Sequence, residues 1–114
     1  MTTMRFVDGA GGVAALDVIE ARGLLGRIRG LLGQAGLEAG QGMLIRTKQV
    51  HTIGMRFAID SIYLSRRGAV LAVETLSPGK VGPFLFRARW VLETRAGEAA
   101  RLGIAAGQRG ELVR

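Results

Sequence analysis

The chain has 114 residues, 48% of them hydrophobic and 22% charged, with a formal net charge of +7; these are the proportions of one folded globular domain, 1–114, long enough to bury a core without staples. Cysteine is absent, which excludes a disulfide framework, thiolate catalysis and Cys-ligated zinc or iron–sulfur centres. The charge is carried by 14 Arg against 2 Lys, a bias that a polyanionic partner or a GC-rich genome would equally produce; the arginines are scattered with few aromatics among them, which favours the compositional reading.

The opening residues MTTMRFVDGAGG lack the apolar run of a signal peptide, and no stretch approaches the roughly 18 apolar residues of a membrane span. A soluble, cytoplasmic protein is the expectation.

Residues 4–20 predict a strand, a turn over Asp8-Gly9-Ala10-Gly11-Gly12 and a returning strand from Val13 to Glu20 with Leu16 and Val18 on one face. The glycine run superficially resembles a phosphate-binding loop, but the third Gly of a dinucleotide fingerprint and the Gly-Lys-Ser/Thr of a P-loop are missing. Residues 22–35 predict a short amphipathic helix with Leu24, Leu25, Ile28, Leu31 and Leu32 in one arc and glycines opposite. Each interior Gly costs about 1 kcal/mol relative to Ala, so that helix needs a sheet to pack on.

Met43-Leu44-Ile45 begins a strand, and Lys48 to Gly54 is polar and expected to be irregular. Phe57 to Leu64 and Ala69 to Leu76 are two β-rich runs joined by Ser65-Arg66-Arg67-Gly68, which fits a type I turn with a G1 bulge and Gly68 in the left-handed position. Ser77 to Pro83 is a loop. Phe84 to Glu93 alternates, with Phe84, Phe86, Ala88, Trp90 and Leu92 predicted inward and Leu85, Arg87, Arg89 and Val91 on the wetter face. A second helix is expected at about 95–102, capped by Thr94 before it and Gly103 after it, then a turn at Gly107–Gly110 and a last strand, Glu111 to Val113. The fold class is mainly β: a compact antiparallel sandwich or partly closed barrel with two short helices.

At Gly42-Met43-Leu44 and Met55-Arg56-Phe57-Ala58-Ile59-Asp60 the chain resembles a bacterial and archaeal family known only as domain of unknown function 192. Arg22-Gly23-Leu24-Leu25-Gly26, Ile62-Tyr63-Leu64 with Gly68 and Val70, Val91-Leu92-Glu93 with Ala96-Gly97, and Gly103-Ile104 with Gly107 extend the likeness over nearly the whole chain after about residue 14. The resemblance implies a small mainly-β fold and brings no activity, substrate or catalytic residue with it. Gly54 and Ala58 replace a bulky aromatic and a proline common in the family, and Gln108 replaces an acid in the final turn, which argues against a metal there.

Few residues carry site chemistry. His51, the single histidine, is a candidate general base or ligand, but no second His or Cys exists to complete a transition-metal site. Asp60 lies among apolar residues, where a carboxylate must be hydrogen-bonded or paired; a structural acid held by backbone N–H groups or an arginine is preferred to a catalytic one. A triad of Ser61, His51 and Asp60 is excluded by strand alternation, because adjacent residues point to opposite faces. The candidate anion-binding residues are Lys48, His51, Arg56, Arg87 and Arg89. The preferred reading is a non-enzymatic module without a cofactor, binding a protein partner or small anionic ligand through residues 48–60 and nearby arginines. The alternatives are an enzyme using His51 and Asp60 as acid–base groups on a small anion, and a nucleic-acid-binding module.

Overall fold

The computed structural model describes residues 2–21 and 37–113. Along these the chain runs through β1 (Thr2–Asp8), β2 (Gly11–Ala21), β3 (Gln41–Ile45), β4 (Ile59–Ser65), β5 (Val70–Leu76), β6 (Ala88–Arg95), helix α1 (Glu98–Leu102) and β7 (Arg109–Val113). The helix expected over 22–35 lies outside the described residues. The strands form one seven-stranded sheet in the order β5-β4-β6-β3-β2-β1-β7.

The first hairpin forms where the glycine run predicted it. The Asp8 Oδ1 accepts the Ala10 N–H at 2.7 Å, and Met4 opposes Leu16 across the ladder. The second follows the Ser65–Gly68 turn: the Gly68 N–H donates to the Ser65 carbonyl at 2.9 Å, and Gly68 has φ 89°.

Three expectations need correction. The sheet is mixed, not antiparallel throughout, because β2 and β3 pair in parallel from Asp17–Gln41 to Ala21–Ile45; a chain that returns to the same end of the sheet before adding its next strand must run parallel to the last. Residues 84–87 are not strand: β6 starts at Ala88. Their backbone is committed elsewhere, with the Leu85 N–H on the Lys48 carbonyl and the Ala88 N–H on the Leu85 carbonyl, each at 3.0 Å. The late helix starts at Glu98, after Gly97 with φ 89°, and no neighbouring side chain caps it; Thr94 is a buried residue of β6.

One sheet face gathers Met4, Phe6, Leu16, Val18, Leu44, Ile62, Leu64, Val70 and Leu92 into a single cluster with Ala99 of α1 and Ile104. Each such side chain contributes about 1.5–3 kcal/mol when fully buried. Because β1 to β6 all supply it, the sheet bends around this cluster, and its outermost strands approach at one corner. There Ala69 bridges Arg109, the Val70 N–H donates to the Gln108 carbonyl at 2.8 Å and the Gly110 N–H to the Gly68 carbonyl at 2.8 Å. The ladder nevertheless ends at β5 and β7 and is not closed. The opposite face of β4, β5 and β6 carries a second cluster, Ile59, Tyr63, Leu76, Ala88 and Val91 with Val50, covered by Met55, Phe57 and Leu85.

Glycine is required at Gly42 by close approach: a Cβ there would stand 2.7 Å from Leu92 Cδ1 and 3.2 Å from the Glu93 carbonyl oxygen.

Helix α1 is fixed from two sides. The Asp60 carboxylate in β4 accepts the N–H groups of Gly97 and Ala99, both at 3.0 Å. Glu98, 1% exposed, accepts the Gly40 N–H and a bidentate pair from Arg101 at 2.7 and 2.9 Å. The Arg101 bond, and after it the Gly40 N–H, hold the Glu98 carboxyl down from 4.5 to about 2 against the cost of burial. A carboxyl with a folded value below its unfolded one stabilises fully above the unfolded value and loses that contribution as pH falls through the folded value. Wild-type stability is therefore expected to fall between about pH 5 and pH 2 by an extra amount on the order of 2 kcal/mol, allowing for solvent screening of the exposed guanidinium. Urea midpoints measured down that pH series check this; an equally steep acid limb in Glu98→Gln would refute it.

Candidate functional site

Residues 46–58 and 77–87 are two loops joined edge to edge into an irregular ribbon over the second cluster. The Thr52 N–H donates to the Lys80 carbonyl at 2.7 Å, the Gly82 N–H to the Val50 carbonyl and the Gly79 N–H to the Thr52 carbonyl, both at 2.9 Å. His51 and Val81 form the bridge between them. Thr52, fully buried, pins the loops together, donating its hydroxyl to the Ser77 carbonyl at 2.5 Å and accepting the Lys80 N–H at 2.9 Å. The Tyr63 hydroxyl reaches up from β4 to the Pro83 carbonyl at 2.8 Å, and burial, followed by the Glu74 carboxylate, pushes its pKa up.

Alternation across this ribbon sorts its side chains. Val50, Thr52 and Gly82 are buried against the sheet, while Gln49, His51, Val81 and Pro83 face outward. The outer surface is unusually apolar for a loop: Ile53 is 60% exposed, Val81 61%, Phe84 58% and Phe86 79%. Phe84 and Phe86 were expected inside by strand alternation. Pro83 offers no N–H for a ladder, and the chain does not join the sheet until Ala88.

At one end of the ribbon the cations converge. Arg46, Thr47, Lys48, Ala88 and Arg89 line an open cleft of about 300 Å³. Lys48 is held rigidly in its wall: Nζ donates to the carbonyls of Phe86 and Ala88, both at 2.7 Å, and stands 5.5 Å from the centre of the Phe86 ring. The Nε of Arg89 is buried and has no hydrogen-bond partner among the described residues. Buried donors are nearly always paired in native proteins, so an orphaned one beside a cleft is an unfilled demand for an acceptor.

Of the five anion-binding candidates, Lys48 and Arg89 share this cleft. His51 lies farther along the ribbon, exposed, its Nδ1 accepting the Ile53 N–H at 3.2 Å. Arg56 and Arg87 are exposed on the flanking loops and are not among the cleft residues. Arg46 was not anticipated; the signal available was its position two residues before Lys48, immediately after a strand end. Asp60, 2% exposed, is engaged by three donors, the two α1 N–H groups and the Thr75 hydroxyl at 2.6 Å. The Ser61 hydroxyl donates to the Glu74 carbonyl at 2.9 Å. His51, Asp60 and Ser61 thus make bonds to different groups and do not bond one another in these contacts. Among the described residues no cluster of three or more His, Asp or Glu side chains could hold a metal ion, and no helix is long and apolar enough to cross a membrane.

Comparison with known proteins places this geometry among related folds. The family model of domain of unknown function 192 (DUF192), described as an uncharacterised ACR, matches residues 6–112. No curated protein matches the chain. Two crystal structures are similar, each at 21% identity over 96% of this chain. One is a protein of unknown function from Novosphingobium aromaticivorans, with 83% of its own length covered and a TM-score of 0.79. The other is a putative transcription regulator from Sinorhizobium meliloti, with 92% covered and a TM-score of 0.72. At that identity the likeness is one of fold.

Proposed function

We propose that this chain, which belongs to the DUF192 family of uncharacterised domains, is a non-enzymatic binding module that takes an anionic partner or small anionic ligand at the cleft between Lys48 and Arg89. The observation that carries this reading is the buried, unpartnered Nε–H of Arg89, set in the same wall as Arg46 and Lys48. Arginine is the side chain best suited to a planar carboxylate or phosphate, because its donors form a fixed fork. The fixed Lys48 ammonium adds charge without an ordering cost. In this reading the bent sheet acts as a partly closed barrel that holds the ribbon rigid. Catalysis by His51 and Asp60 is disfavoured because the Asp60 carboxylate is already committed to α1 and Thr75.

A second reading, nucleic-acid binding, draws support from the exposure of Phe84 and Phe86. Aromatic rings beside cations are the means by which single strands are held, by stacking and charge together. The similar S. meliloti protein is described as a putative transcription regulator.

One experiment addresses both. The wild-type chain and Arg46→Ala/Arg89→Ala are titrated with inorganic phosphate, a polyglutamate peptide and a single-stranded oligonucleotide across a salt series. The double variant is expected to bind the preferred anion at least about tenfold more weakly, matching the loss of one or two charge-assisted bonds. Equal binding by the two proteins overturns the cleft. Preference for the oligonucleotide with a steep loss of affinity in salt, reduced further by Phe86→Ala, selects the second reading over the first.

A further inference from the structure

The bent sheet has two ends, and they differ. Along β4 the inward-facing residues are Asp60, Ile62 and Leu64. At Asp60 the interior is stoppered by α1, whose N-terminal N–H groups that carboxylate holds. Leu64 is four residues on, about 13 Å away along a strand. Around it opens a cavity of about 230 Å³ whose wall includes buried Met4, Leu44 and Leu64, half-buried Trp90, and the exposed Arg66 and Arg67 of the hairpin turn.

We propose that this second cavity, which shares no lining residue with the cleft at Arg89, is a binding site for a short apolar carboxylate. The floor is hydrocarbon and the Trp90 indole, and the charged part of the lining is the exposed pair Arg66 and Arg67. Neither Arg66 nor Arg67 has an ion-pair partner among the described residues, so their charge is available to a ligand. An apolar floor with convergent polar groups at its mouth is the usual composition of a small-molecule site. The same arrangement repels an alkyl cation and gives a neutral alcohol no countercharge. The size limits the guest: 230 Å³ falls below the common range of about 300–1,000 Å³ for drug-sized ligands, so a short chain fits and a long lipid does not. The backbone supports the opening, since Gly68 and Gly110 stand where side chains would otherwise intrude: a Cβ on Gly110 would lie 3.2 Å from Met4 Sδ.

Trp90 is the single tryptophan of the chain, so its fluorescence reports the cavity alone. Titration with sodium octanoate is expected to give a saturable change in that emission, with octan-1-ol and butyrate each binding at least about tenfold more weakly. Arg66→Ser/Arg67→Ser removes only exposed side chains, and its circular dichroism and melting temperature check that it folds. It is expected to bind octanoate at least about tenfold more weakly while binding octanol as wild type does. Absence of a saturable response to octanoate overturns the proposal, as does equal affinity for octanol or undiminished octanoate binding by the folded double variant. None of these results depends on Arg46 or Arg89, so this site and the cleft stand or fall separately.

Discussion

Asp60→Ala is expected to lower stability by about 3 kcal/mol, a fall in melting temperature of roughly 10 °C for a domain of this size. The loss is large because of what remains after the carboxylate goes. The N–H groups of Gly97 and Ala99 keep their positions at the start of α1 but lose their acceptor, and an orphaned buried donor costs about 1–3 kcal/mol. The Thr75 hydroxyl loses a partner at 2.6 Å as well. No residue next to the helix can substitute, because Gly97 has no side chain and contributes no cap. Asp60→Asn retains one acceptor oxygen and is expected to cost about half as much. Urea denaturation of the three proteins measures the series. A change below about 1 kcal/mol in the alanine variant means that α1 is held by its packing and not by this carboxylate.

Gly68→Ala is expected to cost a similar amount through a different mechanism. Gly68 has φ 89°, where a Cβ adds about 1–2 kcal/mol of backbone strain. That Cβ would also lie 2.3 Å from the Gly110 carbonyl oxygen, on the strand that Gly68 itself bonds. Since both sides of the clash are backbone, β7 has to move away from the turn, and the hydrogen bond to the Gly68 carbonyl goes with it. The expected total is about 3 kcal/mol. Gly54→Ala is the control. It has nearly the same φ, 84°, but nothing within 4 Å of the added Cβ, so strain alone should appear, at about 1 kcal/mol. Melting temperatures of the two variants give the comparison directly. Equal losses would show that the β7 contact contributes nothing.

Local chemistry is legible in this chain wherever a backbone need is met by nearby residues. The turns at Asp8–Gly12 and Ser65–Gly68 depend on φ values and hydrogen bonds within four or five positions, and both form as the residues indicate. The same is true of the inward face of β2, where Leu16 and Val18 alternate with exposed neighbours. Asp60 also follows: a carboxylate between Ile59 and Ile62 has to be bonded, and backbone N–H groups are among the partners that setting calls for. The identity of those N–H groups was not legible, since the helix they open lies 37 and 39 residues away.

The outer surface of the ribbon is not legible in the sequence, and the reason is competition between local and distant partners. Phe84, Phe86 and Ala88 alternate as a strand would, yet two of them are exposed. Their backbone is drawn to Lys48, some 40 residues earlier, by both its main chain and its ammonium. Periodicity records what a segment can do alone, and it is silent when a loop from elsewhere supplies better bonds. The parallel pairing of β2 with β3 has the same character, since nothing within either strand's own residues fixes which neighbour it takes or in which direction. By itself, then, the sequence determined a mainly-β fold, its turns, its family likeness and the need of Asp60 for hydrogen-bond partners, because those rest on composition and short-range geometry. Only the tertiary structure decided that Arg46, Lys48 and Arg89 share a cleft, that two phenylalanines face solvent and that a cavity opens beside Trp90. Each of those depends on which distant segments meet, and no local period encodes that.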